Sequence, residues 1–228
     1  YEAIFTQGRA EFRRLDQDIE THVEIAISPE DDIELRRVSL SNRGDTVRTI
    51  ELTSYAEVVL SQPAADAAHP AFSNLFVQTE LLPADQAIVC TRRPRSGEER
   101  PPWMVHKLTV HGTTQGETSY ETSRPEFIGR GRSPRDPIAM HREALTNTAG
   151  SVLDPVVAIR ARVVLQPGET ARIHVVTGVA ETREGALGLI EKYRDRHAAD
   201  RVLELAWTHS QVVQRRLDAS NAEIRLYE

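Results

Sequence analysis

One cysteine, Cys90, stands among the 228 residues, and one cysteine cannot close an internal disulfide. It is expected as a reduced, buried thiol on a strand, a state compatible with a cytosolic setting. Aromatic residues make up 5%, with two tryptophans, so a platform of exposed rings for stacking sugars has few candidates. A basic surplus is missing: the net charge of −6 argues against a general nucleic-acid binder, whose phosphate contacts need excess Lys and Arg. No run of 18 apolar residues occurs and nothing resembles a signal peptide. The segment is therefore expected neither to insert in a membrane nor to carry its own export signal. There is no Gly-x-Ser-x-Gly elbow, and no His or Cys pair has tight zinc-ligand spacing. His106 and His111 lie five apart on one strand, hence on opposite faces, and His69, His141, His174, His197 and His209 stand alone as structural or surface residues. No metal or cofactor is implied.

What is present is period-two alternation. Val23, Ile25 and Ile27 precede the polar turn Ser28-Pro29-Glu30-Asp31-Asp32, and Ile33, Leu35, Val38 and Leu40 follow it. Arg36-Arg37 shift the alternation by one residue, which predicts a bulge or twist. A second turn, Asn42-Arg43-Gly44-Asp45, leads to a third strand ending at Leu60, and together these read as an antiparallel meander. Strands are predicted over Glu11–Asp16, Ile19–Ser28, Ile33–Asn42, Arg48–Leu60, Ala87–Arg93, Trp103–His111, Tyr120–Phe127, Val156–Gln166 and Thr170–Ala180, the last two as a hairpin closed by Pro167-Gly168. No strand is followed regularly by a helix, so the fold class is mainly β: two stacked antiparallel sheets. The expected division is a β-sandwich over residues 1–180 and linker helices over 181–228.

After residue 181 the period becomes helical. Thr182 can cap one helix, and a second runs from about Ala199 through Leu217 with Val202, Leu205, Ala206, His209, Val212, Val213 and Leu217 on one face. That stripe is broader than the sandwich can cover, so it is expected to meet further protein. Trp207 is assigned to the helix core. Residues from Ser220 to Glu228 carry no stop signal and read as a chain continuing into further architecture.

Three segments carry chemistry-bearing side chains. Ser61–Pro70 is predicted as an exposed excursion. Arg92, Arg93 and Arg95 read as a basic turn. In Phe127–Pro137, FIGRGRSPRDP, Arg130, Arg132 and Arg135 interleave with Gly129 and Gly131, residues that suit close approach to a phosphate or carboxylate. Spacing alone favours a solvated turn whose arginines pair with the chain's acidic side chains, since Gly-x-Gly outside a strand-to-helix junction is a weak signal. The Glu30-Asp31-Asp32 cluster is read as a solvated turn rather than a catalytic carboxylate pair.

The run SPEDDIELRRVSLSN, then TSYAEVVL, AHPAFSNLFVQTE, TRRPRS, the stretch Glu121–Arg124 leading to FIGRGR, GSVLDP and EKYRDRHAADRVLELAW resemble the cyclic β-1,2-glucan synthase family. The match is to the start of its phosphorylase-like region, which is similar to the cellobiose and chitobiose phosphorylases of glycoside hydrolase family 94. The resemblance implies a galactose-mutarotase-like β-supersandwich, then linker helices, then an (α/α)6 barrel whose aspartic acid protonates the glycosidic oxygen while phosphate attacks the anomeric carbon. It places no catalytic residue in this chain. It implies β-1,2-glucan or a related oligosaccharide and inorganic phosphate as partners of the full enzyme, a downstream catalytic barrel, and a homodimer by analogy. It also implies a location on the cytoplasmic side of the bacterial inner membrane, or in the cytoplasm if the full protein is soluble. Arg124, Phe127, Gly129, Arg130, Gly131 and Arg132 are the expected substrate-side loop. Ser123 departs from the aspartate expected there, which puts a local carboxylate–arginine pair in doubt.

Two other readings compete. A free-standing carbohydrate-binding module would use Trp103 for stacking. A mutarotase-like epimerase would need His106 or His174 facing a carboxylate.

Overall fold

The alternating runs of the first 180 residues become strands in the computed structural model, which describes residues 1–94, 96–218 and 220–224. In chain order the first six are β1 (Glu2–Thr6), β2 (Arg9–Asp16), β3 (Ile19–Ile27), β4 (Ile33–Asn42), β5 (Arg48–Thr53) and β6 (Ala56–Glu57). A short helix, α1 (Pro63–Ala68), occupies the predicted excursion, and a second, α2 (Pro70–Asn74), begins at its last residue. Each starts on a proline, which suits the first turn because the missing N–H there has no intrahelical partner. Then come β7 (Val77–Leu82), β8 (Ala87–Arg92), β9 (Trp103–His111), β10 (Thr113–Thr114), β11 (Ser119–Ser123), α3 (Arg124–Ile128), β12 (Pro155–Leu165) and β13 (Thr170–Ala180). The chain closes with α4 (Arg183–Lys192), α5 (Arg196–Leu217) and the single turn α6 (Asn221–Ile224).

All pairings are antiparallel. An eight-stranded sheet has the order β1-β2-β3-β4-β13-β9-β8-β7. A five-stranded sheet is built around β12, with β10 and β11 on one edge and β5 and β6 on the other. Val38, Leu40, Leu108 and Ile173 of the large sheet pack on Val157, Ile159, Val163 and Leu165 of the small one. The large sheet's other face carries the helices: Ala26, Ile33, Leu35 and Val176 meet Tyr193, Ala199, Val202, Leu203 and Ala206, while Ala87, Val89 and Val105 meet Ala186 and Ile190. Each of these side chains contributes about 1.5–3 kcal/mol if it is as large as Val or Leu.

This layering explains where the predicted strands depart from the observed ones. The register of β4 with β3 and with β13 runs unbroken, so Arg36-Arg37 make no bulge. Instead Ile33 and Leu35 face the helices and Val38 and Leu40 face the second sheet, because β4 is buried on both sides. The third strand of the expected meander ends at Thr53, with two further residues at Ala56–Glu57, and pairs with β12 in the other sheet. The expected hairpin of β12 and β13 is likewise a corner between sheets. Its turn has the predicted Pro-Gly form, with Gly168 at φ 76° and the Glu169 N–H donating to the Gln166 carbonyl at 3.0 Å. Asn42, fully buried, ties the corner by donating from Nδ2 to the Thr46 and Leu165 carbonyls at 2.7 and 3.2 Å. Strands β1 and β7 were not predicted. The strand predicted to reach Phe127 stops at Ser123, because Pro125 opens a helical turn there.

The helices are capped as side-chain chemistry requires. Thr182 accepts from the Gly185 N–H, and Asp195 accepts from the His197 N–H, which starts α5 three residues before the predicted Ala199. The acidic turn is more than solvated: Asp31 accepts from Lys192 Nζ and from the Tyr193 hydroxyl, both at 2.6 Å, and Glu30 accepts from Arg201 at 2.6 Å. It docks both helices onto the β3–β4 turn. Asp31→Ala leaves the buried Tyr193 hydroxyl without its acceptor and is expected to cost about 1–3 kcal/mol in urea unfolding. Glu30→Ala breaks only a solvent-screened pair, so its loss should be the smaller one, and equal losses would contradict this assignment.

Candidate functional site

The arginine-rich loop begins where β11 gives way to α3. Glu121, 1% exposed, takes the N–H groups of Thr122 and Ser123 at 3.0 and 2.9 Å and the Thr146 hydroxyl, which fixes the strand's last turn. Phe127 is buried with Ile128, Ala139, Leu145, Val156 and Ala158, and its ring lies 4.7 Å from that of Tyr55. Gly129 has φ 86°, and a Cβ there would come within 2.9 Å of the Ile138 side chain, so this position accepts no larger residue without strain. Gly131, at φ 73°, faces open space.

The arginines divide into two kinds. Arg124 donates to Glu57 at 2.9 Å and lies 3.7 Å from Asp154, so a carboxylate–arginine pair exists, with both acids supplied from elsewhere than position 123. Arg132 pairs with Asp136 at 3.0 Å, and His141 sits 2.7 Å from the same carboxyl. The His141 hydrogen bond holds Asp136 below the usual carboxylate range. The Arg124 hydrogen bond does the same for Glu57. Burial, with Glu57 against its hydroxyl, pushes Tyr55 up to about 12. Arg130 and Arg135, by contrast, are exposed and have no ion pair among the described residues. Underneath, Arg160 anchors the loop's far end. It is 2% exposed and donates to the Ala139 and Arg142 carbonyls at 2.8 Å each.

Of the predicted loop, then, Phe127 and Gly129 serve the fold, Arg124 and Arg132 are paired, and Arg130 and Gly131 are open to solvent. Arg92 is not an exposed basic residue, since it is buried and paired with Glu99, and Arg93 lies over the Phe76 ring at 5.6 Å. Arg95 falls outside the described residues.

The remaining candidates sort by their neighbours. Trp103 packs partly buried with the α4 core under the Arg183 guanidinium. Trp207, assigned to the core from sequence, is 58% exposed, because α5 buries only Ala199, Val202, Leu203 and Ala206. His106 lies between the Ser54 and Thr177 hydroxyls at 2.8 and 2.9 Å. His174 is not isolated: its Nδ1 lies 3.3 Å from His111 Nε2. Neither faces a carboxylate at hydrogen-bond distance among the described residues, which removes the support for epimerase chemistry. Cys90 is buried on β8, as expected, and burial pushes its thiol up to about 12.

Glu11, His22 and Glu24 bring ligand atoms within 4.8 Å of one another, a cluster the sequence reading missed because the pairs span three strand positions and a hairpin. Arg9 and Arg37 already approach Glu11 and Glu24 at 2.7 and 2.6 Å, and Arg13 approaches Glu11 at 3.4 Å. Three guanidiniums neutralise two carboxylates, which makes this a charge network across β2, β3 and β4 and a poor divalent-cation site.

A large and a small antiparallel sheet packed face to face, with two helices on the large sheet's outer side, define a β-supersandwich. The family model for the glycosyl hydrolase 94 supersandwich domain matches residues 1–196, and the chain belongs to that family. It is 35% identical over 225 residues to the cyclic beta-(1,2)-glucan synthase NdvB of Rhizobium meliloti (strain 1021), a match that covers 98% of this chain and 8% of that protein. It is 26% identical over 168 residues to the solabiose phosphorylase of Paenibacillus borealis, covering 74% of this chain and 21% of that one. A solved polysaccharide lyase superposes with a TM-score of 0.44 at 16% identity, over 77% of this chain and 22% of that one, and nothing further rests on it. The chain thus spans about a fifth or less of the curated relatives it matches, and it carries the supersandwich domain of the family. No helix among the described residues is long and apolar enough to cross a membrane.

Proposed function

We propose that this supersandwich supports the catalytic barrel of an enzyme that makes or phosphorolyses β-1,2-glucan, with residues 1–180 as the sandwich and 181–228 as the linker toward the barrel. The observation that carries the reading is α5. Its first half is buried on the large sheet, whereas Val212, Val213 and Leu217, which continue the helix's apolar face beyond it, are 42, 39 and 71% exposed and are not covered by the sandwich. The identity to the glucan synthase along 98% of the chain supports the substrate class. In this reading the loop Arg124–Arg132 lies toward the substrate side. Arg130 is the residue there that remains free to meet a sugar or phosphate oxygen. Phosphate and the oligosaccharide are bound by the full enzyme, a homodimer is formed as in the phosphorylases, and the whole works on the cytoplasmic side of the inner membrane or in the cytoplasm.

The test compares residues 1–228 with the same chain extended through its downstream sequence. Phosphorolysis of β-1,2-glucan is expected only from the extended protein, and turnover by residues 1–228 alone would overturn the reading. The exposed Trp207 favours one further reading, direct oligosaccharide binding by the domain. Quenching of tryptophan fluorescence by β-1,2-oligoglucans, lost in Trp207→Ala and kept in Trp103→Phe, would establish it. An unchanged spectrum would remove it.

A further inference from the structure

A cavity of about 210 Å³ lies between β9, β13 and the first turn of α5, lined by His111, Thr170, Arg172, His174, Arg196 and Asp200. That is more than ten times the ~10–15 Å³ that a single water needs. His174 is 1% exposed; its Nδ1 is engaged with His111 and its Nε2 is buried with no hydrogen-bond partner. A buried imidazole nitrogen left unpaired is costly, so a partner is to be expected.

The charges around it say which kind. Arg172 and Arg196 make no ion pair or hydrogen bond among the described residues. Asp200, the acid lining the cavity, is held by Arg37 at 2.8 Å, and Arg37 is shared with Glu24. Asp195 is occupied in capping the helix. Arg196 opens a 22-residue helix, whose N-terminal dipole adds positive potential at the same place. Two exposed, unpaired guanidiniums, a helix N-terminus and an orphaned buried imidazole therefore line one half-open cleft. We propose that this cavity is an oxyanion site for inorganic phosphate, separate from the arginine-rich loop and independent of the barrel reading.

The imidazole pair suits this ligand. If the His111 Nε2–H donates to His174 Nδ1, the His174 proton sits on Nε2 and donates to a phosphate oxygen, while Arg172 and Arg196 supply charge-assisted bonds. In the free protein, burial first, then His111 and the nearby Arg37 and Arg172, outweigh Asp200 and hold His174 down at about 4. Burial, Arg196 and Arg172 act on His111 in the same direction against Asp200 and Asp195. A bound anion reverses the sign of the local field and should raise both.

The 228-residue chain would be titrated with sodium phosphate at pH 7, at ionic strength fixed with sodium chloride, by calorimetry and by ¹⁵N-detected imidazole NMR. The expected result is saturable one-to-one binding, fixation of the His174 proton on Nε2, and an upward shift of its pKa. Arg172→Ala and Arg196→Ala should each weaken binding at least tenfold. Both side chains are free of ion pairs, so an unchanged thermal midpoint will show that the variants remain folded. Non-saturating shifts that chloride reproduces, or undiminished affinity in the double variant, would overturn the proposal and leave a water-filled cavity.

Discussion

Acidification from pH 6.5 to pH 4 is expected to remove about 5 kcal/mol of stability through two histidines alone. His106 and His174 are 2% and 1% exposed, and burial pushes each down to about 4 from 6.5. Between those values the unfolded chain binds two protons that the folded chain excludes, so stability rises with pH across the window and is lost as pH falls through it. Each histidine forfeits about half of that loss over the window, less than its full displacement at ~1.36 kcal/mol per unit, because the unfolded form is half-titrated at the window's upper end and the folded form at its lower end. Together this is a large part of the ~5–15 kcal/mol that holds a typical domain folded. Protonated His106 would keep hydrogen bonds to Ser54 and Thr177, since hydroxyls also accept; what it lacks is a compensating carboxylate. Urea unfolding at half-unit steps of pH in a phosphate-free buffer measures the slope. His106→Gln retains a donor and an acceptor but does not titrate, so it should halve the loss. A stability that is flat between pH 6.5 and 4.5 would refute the assignment of both imidazoles as neutral. Phosphate, if it occupies the His174 cavity, should restore part of the lost stability by mass action.

The fold class could be read from sequence because period-two alternation is a local property, and the borders of β3, β4, β9 and β13 follow from it almost residue by residue. Which sheet a strand joins is not local. The Asn42–Asp45 and Pro167-Gly168 turns look like hairpin turns, yet both carry the chain between sheets. What decides is whether the strands they join are sought by β12 or by the large sheet. The Arg36-Arg37 slip was legible as an irregularity, but a bulge and a change of buried face leave the same trace in sequence, and only the presence of helices behind β4 separates them. The site was legible less evenly. Gly129 and Gly131 do adopt positive φ as their spacing suggested, but the pairing of Arg124 with Glu57 and Asp154 bridges 67 residues on one side and 30 on the other in a way no spacing shows. The His111–His174 contact was hidden for the same reason: β9 and β13 become neighbours only in the sheet.

Phe127→Ala is expected to cost about 3–5 kcal/mol, the range for emptying a buried phenylalanine site. Phe127 is 4% exposed and fills the space between α3, Tyr55 and the inner residues of β12. The backbone cannot follow it inward, because Arg160 pins the Ala139 and Arg142 carbonyls and Glu121 pins the Thr122 and Ser123 amides. The cavity should therefore stay open, with a denaturant midpoint shifted at unchanged m-value. Phe127→Leu keeps most of the volume and should cost much less, and equal costs would mean that the ring is not a core residue. Arg130→Ala gives the opposite expectation, since an exposed arginine without a partner should leave stability within about 0.5 kcal/mol. In a protein extended to the barrel, the two variants then separate support from contact. Phe127→Ala should lower activity in step with the folded fraction and recover it on cooling toward maximal stability, whereas Arg130→Ala should raise KM for glucan or phosphate with the fold intact. If Arg130→Ala leaves KM unchanged, the loop is scaffold throughout and Arg130 has no part in substrate binding.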